Sequence, residues 1–324
     1  MARPLLTIEN LRVYYDSPRG LVKAVDGVSF EVMEGEILGI AGESGCGKST
    51  LIHSLILLKP PMKYAGGKAL YSGVNLVAAP PSVMKRIRYR EISIIPQYAM
   101  NAAPPAKRIR DLVRDLVRSA DPDADIEEVF ERARERLKLV NLSPRVLDMY
   151  PVELSGGMKQ RTIMVVSTLL NPKLLLADEI TSALDVSTQR VVLELLKDFR
   201  DRGIVRSVIF VTHDLASLYQ IADRIVVMYA GKVVEIGSAD KIIHDPLHPY
   251  TKALVSSLPR LGVHYRRQKL SGLAGHPPDL VNPPPGCRFA PRCRYAIAGL
   301  CNREEPPTVE VDGRIVSCWI YAKR

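Results

Sequence analysis

Lys48 and Ser49 close the string Gly42-Glu43-Ser44-Gly45-Cys46-Gly47-Lys48-Ser49, followed by Thr50. It fits G-x-x-x-x-G-K-[ST], a phosphate-binding loop. Its glycines let the chain curl until successive backbone N–H groups face one phosphate chain. A helix starting there adds partial positive charge. Lys48 can then reach the β- and γ-phosphates, and the Ser49 hydroxyl can ligate Mg²⁺. Two carboxylates, Asp178 and Glu179, end the apolar run Leu174-Leu-Leu-Ala177. Mg²⁺ takes one or two carboxylates plus phosphates, which suits Asp178. Glu179, one residue later, can orient and polarise an attacking water. Ser155-Gly156-Gly157 before a helical pattern is a second anion-binding device, or simply an N-cap. Gln97 and His213 each end an apolar strand-like run, where a polar side chain can face a phosphate site.

These groups need particular elements behind them. Glu36–Ala41 reads as a buried strand and Thr50–Leu58 as an apolar helix, the setting the loop requires. Leu5–Tyr15 and Val22–Val32 alternate partly and predict an antiparallel sheet ahead of the loop. Glu91–Gln97, Asn171–Glu179 and Val208–Asp214 predict core strands ending in polar residues, and Arg224–Tyr229 with Lys232–Gly237 a hairpin around Ala230-Gly231. Asp125-Ile-Glu-Glu128 resembles a capping box that opens a helix with Val129, Phe130, Ala133, Leu137 and Val140 on one face. Strands alternating with helices spell an α/β fold with a doubly wound parallel sheet.

The 324 residues, 47% hydrophobic, suffice for one large domain and a smaller one. The net charge of +10 is spread over modest clusters at Lys85–Arg90, Lys107–Arg118 and Arg260–Lys269, which read as solvated faces. No apolar run approaches the roughly 18–20 residues of a membrane helix. The segment Met1–Thr7 lacks a signal-peptide core, so an intracellular location is expected. Of five cysteines, four fall in the pattern Cys287-x5-Cys293-x7-Cys301-x16-Cys318, after a proline-rich linker at 277–285. Four thiolates suit either tetrahedral Zn²⁺ or an iron–sulfur cluster, and reduced, metal-free thiols are the third reading. A metal would staple a tail with little apolar periodicity.

Taken in order and spacing, these motifs resemble the ATPase subunit of ATP-binding cassette (ABC) transporters over residues 5–258. Residues 42–49 match Walker A, Gln97 the Q-loop, 154–158 the signature, 174–178 Walker B with Glu179 as catalytic carboxylate, Ser182–Asp185 the D-loop, and His213 the switch histidine. Tyr15 matches the aromatic that stacks on adenine. Ile180 stands where the family usually has proline, and Tyr98-Ala-Met-Asn replaces the usual acidic residue and proline after Gln97. The string His244–Leu254 and the cysteine tail resemble the oligopeptide/dipeptide importer branch, in which such a tail often binds a [4Fe–4S] cluster.

The resemblance implies a RecA-like P-loop core with an antiparallel β subdomain and a helical signature subdomain at about 98–165. It implies a cassette over 1–258 and a C-terminal extension over 259–324. Catalytic roles fall to Glu179, His213, Lys48 and Gln97. Nucleotide contacts fall to Tyr15, Gly42, Glu43, Ser44, Gly45, Cys46, Gly47, Lys48, Ser49, Thr50, Gln97, Ser155, Gly156, Gly157 and Asp185. Mg²⁺ falls to Ser49, Gln97 and Asp178, and the cluster, with zinc as alternative, to Cys287, Cys293, Cys301 and Cys318. The partners implied are a second ABC ATPase (a heterodimer favoured), two membrane permease subunits and an extracytoplasmic solute-binding protein, at the cytoplasmic face of the membrane. Nucleic acid is not expected. The competing readings are a soluble ABC ATPase acting on nucleic acid or the ribosome, and a non-hydrolysing nucleotide-sensing scaffold.

Overall fold

The computed structural model describes residues 3–97, 103–182, 184–258, 273 and 275–322. The basic cluster at Arg260–Lys269 and the segment Tyr98–Asn101 after Gln97 lie outside the described residues. In chain order the elements are β1 (Pro4–Ser17), β2 (Gly20–Met33), β3 (Ile37–Ala41), α1 (Lys48–Ile56), β4 (Met62–Tyr71), β5 (Val74–Asn75), α2 (Pro81–Ile87) and β6 (Ile92–Ile95). Then come α3 (Ile109–Ala120), α4 (Ile126–Leu139), α5 (Gly156–Thr168), β7 (Leu174–Asp178), α6 (Val186–Asp201), β8 (Ser207–Val211) and α7 (Leu215–Ile221). The chain closes with β9 (Arg224–Tyr229), β10 (Lys232–Ser238), α8 (Ala239–His244), α9 (Pro249–Ser256), β11 (Thr308–Val311) and β12 (Arg314–Ser317). Contacts divide these into two units. The first holds Met1–Arg3, Met33–Ile37 and Ala78–Phe210; the second holds Pro4–Val32, Leu38–Val77 and Val211–Arg324.

In the first unit β6 and β7 run parallel, Ile92 opposite Leu174 and Ile95 opposite Ala177, and β8 neighbours β7. Every residue of β7 and β8 is buried. A parallel strand covered on both faces needs such a continuous apolar run. The helical part of this unit packs α4 on α5, with Val129, Phe130, Ala133, Leu137 and Val140 all buried. Asp125 caps α4 by accepting from the backbone N–H groups of Glu127 and Glu128. The reciprocal half of a capping box is absent at this helix, because the Glu128 carboxylate pairs with Arg132 one turn on. The (i, i+4) ion pair competes for the same oxygen atoms.

The second unit carries two sheets. The smaller has the order β2-β1-β4-β5. Leu6, Ile8, Leu11 and Val13 of β1 are buried. The apolar phase slips between Ile8 and Leu11 because a register shift lies between Glu9 and Arg12, with Asn10 at φ 46°. A bulge restores the inward phase after one extra residue, which is why alternation in the sequence is only partial. The other sheet has the run β11-β12-β10-β9-β3. β3 pairs parallel to β9, and β10 and β12 pair antiparallel. Ala230 (φ 48°) and Gly231 (φ 83°) form the β9–β10 turn. The hairpin β11–β12 is an element that the sequence reading passed over: it gives the C-terminal extension two strands and joins it to β10.

Candidate functional site

The phosphate-loop string bridges β3 and α1. Gly42 (φ 149°) and Gly47 (φ 104°) take backbone conformations that L side chains rarely adopt. A Cβ on Gly42 would lie 2.2 Å from the Met228 carbonyl oxygen, and one on Gly47 would lie 2.0 Å from the Ala24 carbonyl oxygen. The loop therefore curls only because those two Cβ atoms are missing. Lys48, 4% exposed, opens α1 and donates from Nζ to the carbonyls of Gly42 (2.7 Å) and Glu43 (3.1 Å). Ser44, Gly45 and Ser49 are exposed, while Cys46 and Thr50 are buried. Burial pushes the Cys46 thiol up, so this cysteine stays neutral packing beside the Lys48 ammonium. Tyr15, half-buried, meets the Thr50 hydroxyl at 3.1 Å. His213, just past β8, is exposed.

In the first unit, Asp178 is 1% exposed at the end of β7. Glu179 follows at φ 47°. A non-glycine residue there costs roughly 1–3 kcal/mol and persists only where the surroundings over-determine it. Its Oε2 accepts from Gln97 Nε2 at 3.2 Å and from Ser182 Oγ at 3.1 Å. The structure thus brings Gln97, Glu179 and Ser182 together. Ile180, where the family usually has proline, is buried.

Ser155 caps α5 by accepting from Met158 N at 3.4 Å. The hydroxyl and Gly156 face solvent, and a Cβ on Gly156 would meet nothing within 4 Å. Gly157 sits against Thr188 of α6. Asp185 is expected among the nucleotide-contacting residues, yet its carboxylate is engaged at the start of α6. It accepts from the Thr188 N–H at 3.0 Å, the Thr188 hydroxyl at 2.7 Å and the Ser187 hydroxyl. The Ser187 and Thr188 bonds hold that carboxyl below the usual range.

Among the four tail cysteines, Cys318 is buried and the others half-buried. Burial pushes the Cys287 thiol up to about 11, and the neighbouring Cys301, Cys318 and Cys293 thiols add to the rise. A backbone N–H two residues ahead opposes this at each of three thiols: Phe289 for Cys287, Tyr295 for Cys293 and Ile320 for Cys318. Ile297 N donates to Cys301 Sγ at 3.3 Å. Each of the four sulfurs thus receives one backbone amide, while burial favours the neutral thiol at Cys287, Cys293 and Cys318. Among the described residues, no group of three or more His, Cys, Asp or Glu side chains is gathered closely enough to hold a single metal ion.

The residues that sequence reasoning missed lie in the extension and in α9. Arg292 pairs with Glu43 of the phosphate loop at 2.7 Å, and Arg288 pairs with Asp26. Tyr250 accepts from the Glu43 N–H at 2.9 Å. No local pattern in the sequence signals contacts between residues 249 positions apart.

Comparison with known proteins places this geometry. Residues 25–182 match the family model described as ABC transporter, and residues 234–301 match the oligopeptide/dipeptide transporter C-terminal region. The dipeptide transport ATP-binding protein DppD of Caldanaerobacter subterraneus subsp. tengcongensis is 39% identical over 320 residues, covering 98% of this chain and 97% of that one. The oligopeptide transport ATP-binding protein OppD of Bacillus subtilis is 38% identical, covering 98% of this chain and 88% of that one. A dimeric ATP-binding cassette solved in a post-hydrolysis state with ADP and Pi superposes with a TM-score of 0.63 at 26% identity. It covers 72% of this chain and 98% of that one. The RecA-like P-loop core, antiparallel β subdomain and helical part are thus those of an ABC ATPase, and the chain belongs to the ATP-binding subunits of ABC transporters, in the oligopeptide/dipeptide branch.

Proposed function

We propose that the protein hydrolyses MgATP to drive uptake of peptides, or of another small solute, through a membrane importer. The observation that carries this reading is Glu179, held in a strained backbone conformation with its carboxylate between Gln97 and Ser182. Such a carboxylate positions a water for in-line attack on the γ-phosphorus. The bond to the bridging oxygen breaks, ADP leaves with that electron pair, and the water's proton goes to the medium or to phosphate. Lys48, the loop N–H groups from Gly42 to Thr50 and exposed His213 stabilise the charge on the phosphates. Tyr15 stacks on the base. Hydroxyl, amide and carboxylate oxygens of Ser49, Gln97 and Asp178 are hard donors that fit Mg²⁺, which supplies charge neutralisation when bound.

The cassette occupies 1–258 and the extension 259–324. Ser155, Gly156 and Gly157 serve the triphosphate held by a partner cassette. Their exposure, with Val186 82% exposed beside them on α6, supports this. Asp185 acts in the same region through the α6 cap. The pair is a heterodimer with a second ABC ATPase, docked on two permease subunits and served by a solute-binding protein. Among the described residues no helix is long and apolar enough to cross a membrane, which suits peripheral attachment at the cytoplasmic face.

The thiols of Cys287, Cys293, Cys301 and Cys318 hold a [4Fe–4S] cluster that cross-links the extension. A zinc ion, with all four sulfurs about 2.3 Å from one centre, is the alternative occupant. An absorbance spectrum of anaerobically purified protein decides between them. The functional test is uptake by the reconstituted importer. Complexes lacking this subunit fail to take up peptide on ATP addition, and persisting ATP-driven uptake refutes the reading.

A further inference from the structure

Glu43, the second residue of the phosphate loop, is gripped from the far end of the chain. Arg292 lies in the short 3-10 turn Ala290–Arg292, next to Cys293. Its Nη1 donates to Glu43 Oε2 at 2.7 Å and its Nη2 to Glu43 Oε1 at 3.1 Å, a two-pronged ion pair. The guanidinium also donates to the Tyr229 hydroxyl at 3.2 Å and to the Leu273 carbonyl, and its carbon lies 5.7 Å from the Tyr229 ring centroid. The arginine side chain is 5% exposed, that of Glu43 24%. On the backbone side, the Glu43 N–H donates to the fully buried Tyr250 hydroxyl, while the Glu43 carbonyl accepts from Lys48 Nζ. Tyr229, Tyr250 and Phe289 stack into a rigid backing with ring centroids 4.6–5.4 Å apart. Glu43 therefore has its carboxylate, N–H and carbonyl all engaged. Only the first two tie it to residues beyond the loop.

We propose that Arg292 is a positioning residue for the phosphate loop: through Glu43, the cysteine-bearing extension fixes the shape in which the loop presents its N–H groups and Lys48 to the triphosphate. The proposal deepens the ATP-hydrolysing reading and rests on it. Two plainer roles predict different outcomes. If the pair merely staples the extension down, its loss lowers stability and leaves nucleotide affinity of the folded protein unchanged. If Arg292 acts only as a nearby cation, removing the opposing carboxylate tightens binding of a polyanion. Positioning instead requires that loss of either partner weakens binding, and that the two losses are one loss.

The experiment is a double-mutant cycle on the full chain with Arg292→Ala, Glu43→Gln and the pair, read as Kd for MgATP, with kcat and KM of the assembled transporter. Each single variant raises Kd about tenfold, or ~1.4 kcal/mol. The pair is no weaker than the worse single variant, and KM rises more than kcat falls. Arg292→Lys keeps the charge but loses the two-pronged grip, so it lies between wild type and Arg292→Ala. An unchanged Kd in Arg292→Ala, a tighter Kd in Glu43→Gln, or additive losses overturns the proposal. If Arg292→Ala does not fold, Arg292→Lys and Glu43→Gln decide it: both weakened supports positioning, and either unchanged refutes it. Wild-type protein that binds MgATP without turnover counts against the proposed function and leaves this cycle readable through Kd.

Discussion

Lys48 is almost wholly buried and tied to carbonyls of its own loop, whereas Ser155 stands in solvent, with open space where Gly156 would carry a Cβ. Both strings use glycine next to a helix N-terminus, yet for opposite reasons. At Gly42 and Gly47 a Cβ would strike a backbone oxygen, so glycine there answers a neighbour in the same chain. At Gly156 nothing among the described residues would meet a Cβ, so glycine there answers no described neighbour. One device is closed by its own chain; the other stays open, as the proposed contact with a partner cassette requires.

The sharpest break of this contrast is Gly47→Ala. The new Cβ meets the Ala24 carbonyl, the loop cannot close, and MgATP binding falls at least about a hundredfold by titration, as the charge-assisted contacts are lost together. Gly156→Ala keeps the binding of the isolated chain near wild type. Next comes Glu179→Gln. Turnover drops roughly 10²–10⁴-fold, the range for a lost general base, while MgATP still binds. Retained turnover would place water activation elsewhere. Ser155→Ala removes an exposed cap worth about 1 kcal/mol and leaves single-chain affinity intact. Turnover of the assembled pair falls about tenfold by the same energy scale. Equal effects on the free and paired subunit would erase the distinction between the two strings.

A change that leaves nucleotide chemistry untouched concerns the wall behind the phosphate loop. His248 is buried, its Nδ1 accepts from Tyr250 N, and the Glu235 carboxylate accepts from the Leu247 and His248 N–H groups. Burial pushes the imidazole down to about 3. The unfolded chain binds that proton more readily, so its contribution to stability is present above the ordinary histidine pKa. It is lost as pH falls from about 6.5 toward 3, at up to ~1.4 kcal/mol per pH unit. Urea melts at pH 7 and pH 5 of wild type and His248→Gln isolate it: the variant shows the shallower pH dependence.

What the sequence made legible was local. A strand, a glycine loop and a helix announce themselves through neighbours a few residues apart, and so do the Asp125 and Ser155 caps. The α4 face reads correctly because its period is set within two turns. The β11–β12 hairpin was equally readable, since Val309-Glu-Val-Asp-Gly-Arg-Ile-Val316 alternates around an Asp-Gly turn, with both turn residues at positive φ. β4 was passed over because Gly66-Gly67 interrupts its pattern. The grip of Arg292 on Glu43 was not legible at all. An arginine in a cysteine-rich tail reads as solvated charge until tertiary structure buries it beside tyrosines.

The pairing of β12 with β10 carries a practical warning. Strand β10 holds Val234, Glu235 and Ile236 in the interior, and its outer backbone groups are satisfied by Ile315 and Val316. A chain cut short of residue 308 would bare that ladder of amides and carbonyls beside apolar side chains, an adhesive margin that invites a neighbouring molecule to add itself. Trimming the thiols away to simplify expression would therefore yield aggregates, and single Cys→Ser replacements that keep the hairpin are the safer route.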